Sequence, residues 1–220
     1  MFIKANNVDL YYEELGSGRP LIMLHGNSEE HSIFTEAAEV LKEHFTVYLP
    51  DSRCHGQSQK TEEIHYEDMA DDMVAFLEEK DLKDVVFYGF SDGGIIGLLA
   101  ARKTDRISRL IVSGANLTPN GVKVGLKLLV KVMYFFNRDP KLKMLLVEPQ
   151  ISPQELADIK VKTTVIVGEK DMVTMEETRQ IAEGVPDAKL IVLPKEGHGS
   201  YIVHKTKIAE LILDEIKEDN

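Results

Sequence analysis

Gly89-Phe90-Ser91-Asp92-Gly93 places a hydroxyl between two small residues, where the strand-like run VVFYG gives way to the helical spacing of GGIIGLLAARK. A serine on such a corner is pushed out from the backbone. The helix N-terminus behind it offers N–H groups to a developing negative charge. A serine hydroxyl is a weak nucleophile until a base takes its proton, and that base needs an acid to orient it. His198, in Pro194-Lys195-Glu196-Gly197-His198-Gly199-Ser200, can supply the base, since its glycine neighbours let the ring reach back over a sheet edge. Asp171, in Gly168-Glu169-Lys170-Asp171-Met172, can supply the acid. Other serines, histidines and the lone Cys54 lack such a corner: His25 and His55 read as loop-holding residues, and His31, His44, His65 and His204 as surface or solvated ones.

The intervening elements must bring these side chains together. FIKANNVDLYYEEL reads as a hairpin turning at Asn6-Asn7, and LIMLHG as a buried strand entered through Gly16-Ser17-Gly18-Arg19-Pro20. Residues 30–43 have helical spacing, with Ile33, Phe34, Ala37, Ala38 and Leu41 on one side. The strand FTVYLPD, the amphipathic helix HYEDMADDMVAFLEEKD and the strand ISRLIVSG follow the same alternation. Further strands are expected at 161–168 and 188–194, with helices at about 175–184 and 201–217. Strands alternating with helices predict an α/β protein with a mostly parallel sheet covered on both faces. Asp171 and His198 then lie beyond the C-terminal ends of their strands, where open α/β sheets hold their sites.

Residues 117–158 interrupt this rhythm with a helical stretch bounded by prolines. Lys123, Lys127 and Lys131 form a polar stripe on it, with Val124, Leu128, Val132 and Phe135 on a different face. The expected organisation is a core of residues 1–116 and 159–220, with 117–158 as a helical cap lining a pocket.

The bulk properties narrow the function. The 220-residue chain carries 37 acidic and 26 basic side chains, a net charge of −11 that argues against a nucleic-acid partner. One cysteine forbids an intramolecular disulfide, and no His, Cys, Asp or Glu cluster has metal-ligand spacing, so neither a metal nor another cofactor is expected. The opening residues lack the apolar core of a signal peptide and no run is long enough for a membrane span, which makes a cytoplasmic protein the expectation. Nothing in the sequence bears on oligomeric state.

LHGNS at 24–28, DSRCHGQS at 51–58, GFSDGG at 89–94, and the GEKD and EGHG loops occur in an order that resembles the α/β-hydrolase fold family over nearly the whole chain. The resemblance implies an eight-stranded sheet whose first connection is a hairpin, with a short cap after the sixth strand. It implies that Ser91 attacks an acyl carbonyl, His198 carries the proton and Asp171 orients the imidazole. The backbone N–H groups of Asn27 and Asp92 would hold the oxyanion. Cys54 departs from the family's D-x-R-G-x-G-x-S loop by replacing its first glycine. His25-Gly26-Asn27 is similar to the haloalkane dehalogenases of this fold, but their chemistry needs an aspartate where Ser91 stands. GFSDGGIIGL resembles the elbow of valacyclovir-hydrolase-like members, which implies that the Asp92 carboxylate receives a substrate ammonium group. Phe90, with Ile95 and the apolar residues of the cap, suggests a substrate with an apolar part. The expected activity is hydrolysis of a small or medium carboxylic ester. Carbon–carbon bond hydrolysis or perhydrolysis by the same triad, and a non-catalytic ligand-binding role, are the alternatives.

Overall fold

Asn6 and Asn7 both take positive φ, 47° and 65°, the two-residue turn that matches the twist of a hairpin. They fold β1 (Phe2–Ala5) antiparallel onto β2 (Val8–Gly16), with Ala5 opposite Val8. The computed structural model describes residues 1–217. β2 pairs antiparallel with β4 (Phe45–Pro50), and from there the sheet is parallel. β3 (Arg19–Leu24) lies between β4 and β5 (Val85–Phe90). Beyond β5 come β6 (Ile107–Ser113), β7 (Lys162–Gly168) and β8 (Lys189–Leu193), giving the order 1-2-4-3-5-6-7-8.

All six residues of β5 are buried, as a central parallel strand with both faces covered requires. Its side chains alternate: Val85 and Phe87 enter one core layer, Val86, Tyr88 and Phe90 the other. A 3₁₀ turn at His31–Phe34 leads into α1 (Thr35–Leu41), which covers the second layer together with α8 (Lys207–Lys217). The first layer is closed by α2 (Tyr66–Glu79), α3 (Asp92–Ala100) and α7 (Met175–Gly184). His31 departs from the expected surface position. Its ring Nδ1 and its backbone N–H both meet the Asp51 carboxylate at 2.8 Å, and that fully buried group requires such donors.

Between β6 and β7 the chain forms α4 (Val124–Asn137), α5 (Pro140–Val147) and α6 (Pro153–Ala157). Pro140 and Pro153 sit in the first turns, where a missing N–H costs nothing. Asp139 caps α5 by accepting the Lys141 N–H, and Ser152 with Glu155 forms a capping box on α6. α4 packs on α5, whereas α6 packs on α7. Only Val130 of α4 is fully buried, and the apolar face of Val124, Leu128, Val132 and Phe135 points to solvent. Helical periodicity groups those residues on one side, but burial also needs a neighbour, and α5 covers only the opposite side. Among the described residues no helix is long and apolar enough to cross a membrane.

Candidate active site

The last residue of β5 and the first of α3 are separated by Ser91 alone, which takes φ 54° and ψ −115°. This conformation is strained for a residue with a side chain, and it is fixed from several directions. The Ser91 N–H donates to the Ser113 carbonyl at 2.7 Å, and its own carbonyl accepts from Gly94 and Ile95. The flanking glycines are steric necessities: a Cβ on Gly89 would lie 2.1 Å from the Gly93 carbonyl oxygen, and one on Gly93 2.1 Å from that of Leu24. The turn is thus pressed against both neighbouring strands, and the hydroxyl has one way out.

That way leads to His198. Its Nε2 lies 3.0 Å from Ser91 Oγ, and its Nδ1 lies 2.7 Å from Asp171 Oδ1. Asp171 Oδ1 also accepts the Val173 N–H at 2.9 Å, so the carboxylate is anchored by its own loop. With Nδ1–H directed at a buried carboxylate, Nε2 presents its lone pair to the serine hydroxyl. The Phe90 ring is buried and packs on the imidazole, 4.9 Å between centroids. The expected residues Ser91, His198 and Asp171 therefore meet in one hydrogen-bonded line.

Asn27 and Asp92 meet as well, through their side chains: Asn27 Nδ2 donates to Asp92 Oδ2 at 2.9 Å, and the Tyr66 hydroxyl donates to Oδ1 at 2.8 Å. Burial pushes the Asp92 carboxyl up to about 6, partly offset by these two donors. Tyr66 was not singled out by the sequence; the available signal was a tyrosine opening a helix whose buried hydroxyl must find a partner. Glu29 is a second residue that sequence reasoning missed. It accepts the Gly26 N–H at 3.0 Å, and burial raises its carboxyl while that N–H draws it back. The preceding His25 donates from Nδ1 to the Gly26 carbonyl and accepts the Ser52 N–H on Nε2, tying the loop after β3 to the loop after β4. In that second loop Cys54 keeps φ at 64°, a glycine-like conformation, and its Sγ accepts the Thr61 N–H.

Above the serine lies a cavity of about 260 Å³. Asn27, Glu29, Phe90 and Asp92 line it on the sheet side, and Leu126, Val130 and Leu145 of the insertion close it from above. A wider groove of about 530 Å³ near Arg102 and Lys160 lies at the opposite ends of the strands, where β6 and β7 begin. Among the described residues no cluster of three His, Cys, Asp or Glu side chains could hold a metal.

Comparison with known proteins agrees with this fold. A sequence model of the alpha/beta hydrolase fold matches residues 19–143. The AB hydrolase superfamily protein YisY of Bacillus subtilis is 27% identical, over 96% of this chain and 97% of that protein. A pimeloyl-[acyl-carrier protein] methyl ester esterase of Nitrosospira multiformis is 32% identical over 53% of this chain, a match that covers 45% of the esterase. Among solved structures, an esterase from Exiguobacterium antarcticum superposes with a TM-score of 0.84 at 22% identity, covering 99% of each chain. The chain belongs to the α/β hydrolase fold family.

Proposed function

We propose that this chain is a serine hydrolase that cleaves a small or medium carboxylic ester through an acyl-enzyme. The observation that carries this reading is the unbroken line from Ser91 Oγ through the His198 ring to Asp171 at the floor of the cavity. Ser91 Oγ attacks the ester carbonyl while its proton passes to His198 Nε2. Asp171 keeps Nδ1 protonated and stabilises the imidazolium that forms. The backbone N–H groups of Asn27 and Asp92 receive the oxyanion, and the Asn27–Asp92–Tyr66 bonds hold the two donors in register. His198 then returns the proton to the departing alkoxide, which leaves as the alcohol. Water repeats the sequence on the acyl-serine, releasing the acid and restoring Ser91.

Residues 117–158 act as a cap in this reading, with the undersides of α4 and α5 as the roof of the acyl pocket. A cavity of about 260 Å³ lies below the usual range for drug-sized ligands, which favours short acyl groups. A substrate bearing an ammonium group is a second reading, favoured by the two carboxyls, Glu29 and Asp92, on the cavity wall. The Asp92 oxygens are already taken by Asn27 and Tyr66, so Glu29 is the freer partner for such a group.

The test is stoichiometric labelling by a fluorophosphonate, followed by p-nitrophenyl esters of increasing acyl length and of amino acids, assayed beside a dienone. The expected result is one label per chain, abolished in Ser91→Ala, with fastest turnover of short acyl esters. Failure to label, or rapid dienone cleavage with a flat response to every ester, would overturn the reading.

A further inference from the structure

Seven of the twelve large apolar side chains left exposed among the described residues lie on the fourteen-residue helix α4: Val124, Leu128, Leu129, Val132, Met133, Phe135 and Phe136. At the helical repeat of 100° per residue they sweep about half of its circumference. Phe135 and Phe136 are 66% and 75% exposed, and Val124 is 83% exposed. A continuous apolar surface of this kind marks a contact rather than ordinary surface scatter.

The charge around the face identifies what it meets. Lys131 borders this face, Lys127 and Lys123 lie about 40° and 80° farther round the helix with Lys127 Nζ donating to Asn120 Oδ1, and Arg138 at the helix C-terminus stacks over the Tyr134 and Phe135 rings at 5.3 and 5.7 Å. Residues 117–147 contain six Lys or Arg and one Asp, a net of +5 within a chain of −11, so the rest of the chain carries −16. Exposed phenylalanines and leucines beside a lysine rim are the makeup of a helix that lies in a lipid–water interface. A second copy fits poorly, because an antiparallel two-fold contact through α4 would set each lysine rim against its own image. An anionic bilayer complements both components, and the acidic body turned away from it is screened beyond about 8 Å at physiological salt.

We propose that α4 docks this protein on the surface of an anionic lipid bilayer, its apolar face seated among the acyl chains and the flanking Lys131 and Lys127 reaching the headgroups. The helix lies flat and does not span. Its opposite side roofs the cavity through Leu126 and Val130, so docking sets the site beside the lipid surface.

Co-sedimentation with sucrose-loaded vesicles tests this. The full chain is expected to partition onto phosphatidylcholine–phosphatidylglycerol vesicles at 0.15 M salt, to bind pure phosphatidylcholine at least tenfold more weakly, and to be released at 1 M salt. Each lysine near such a surface contributes roughly fivefold, so Lys127→Ala with Lys131→Ala is expected to lower partitioning about 25-fold. Phe135→Ser with Phe136→Ser is expected to lower it at least tenfold with unchanged circular dichroism, since neither ring is buried. Absence of binding to the anionic vesicles, or binding indifferent to both double variants, would overturn the proposal. So would light scattering that finds a dimer which the phenylalanine variant converts to monomer, because the face would then belong to a second copy.

Discussion

Gly114, the residue that follows β6, has φ at +61°, and its Cα faces the edge of the His198 ring. A Cβ at this position would lie 2.7 Å from His198 Cε1 and 2.8 Å from Nδ1, where ordinary van der Waals contact begins at 3.4 Å. Gly114 cannot easily retreat, because its N–H donates to the Ile166 carbonyl at 3.1 Å. In Gly114→Ala the imidazole is therefore the part that moves, by about 1 Å, and a misplacement of that size costs on the order of 100-fold in rate. The left-handed backbone adds roughly 1–2 kcal/mol of destabilisation, about 2–8 °C in Tm for a domain of this size. The protein stays folded at room temperature, so the two effects separate. The assay is kcat/KM on p-nitrophenyl butyrate together with the rate of fluorophosphonate labelling, since both draw on the same base. Both are expected to fall about 100-fold at full circular-dichroism signal. Activity within threefold of wild type would refute the argument that this glycine is reserved for the histidine. A loss that vanished on cooling well below the variant's Tm would refute it equally.

Asp171→Asn preserves the shape of the loop but no longer favours the tautomer with Nδ1 protonated, and a fall of roughly four orders of magnitude in kcat is expected. A loss under tenfold on the same ester would rule out Asp171 as the orienting acid. Two buried groups make opposed contributions to stability in acid. Asp92 holds its proton up to about 6 when folded and only to 3.8 when unfolded, so wild type loses about 3 kcal/mol from this group as pH rises from 4 to 6. His55, depressed to about 4 by burial and by the nearby His25, contributes stability that is lost as pH falls from 6.5 to 4, again about 3 kcal/mol. Urea unfolding between pH 4 and 6 should then find wild type nearly level on these two counts. Asp92→Asn should be relatively weaker at pH 4 and His55→Asn relatively weaker at pH 6, and parallel profiles for all three would exclude the assignment.

The strand-to-helix corner at Ser91 was legible because its requirements are local: a buried strand, glycines where no Cβ fits, and a helix of small residues. Asp171 and His198 were legible because each directly follows a strand, and strand ends converge in a parallel sheet. Tyr66 and Glu29 were not, since their partners lie 26 residues away in Asp92 for the one, and for the other in a backbone N–H that only the folded loop directs. Gly114 read as an ordinary strand end, because its reason is the ring of a residue 84 positions later. The α4 face is instructive in the other direction. Its periodicity was plain in the sequence, yet whether an apolar stripe faces the core depends on how many helices the insertion supplies. His31 was misread for a related reason, as its partner Asp51 lies 20 residues downstream on the next strand's end.

The Ser91–His198 hydrogen bond joins residues 107 positions apart, across the loops after β5 and β8. Contacts of that span are costly to close early in folding, and parallel strands brought together by long crossovers are intrinsically slow to pair. Neither group gains its partner until β6, β7 and β8 have docked in turn beside β5. Catalytic competence should therefore be acquired only after most of the secondary structure has formed. In a refolding experiment, the return of activity would time the final closure of the chain, whereas circular dichroism would time its beginning.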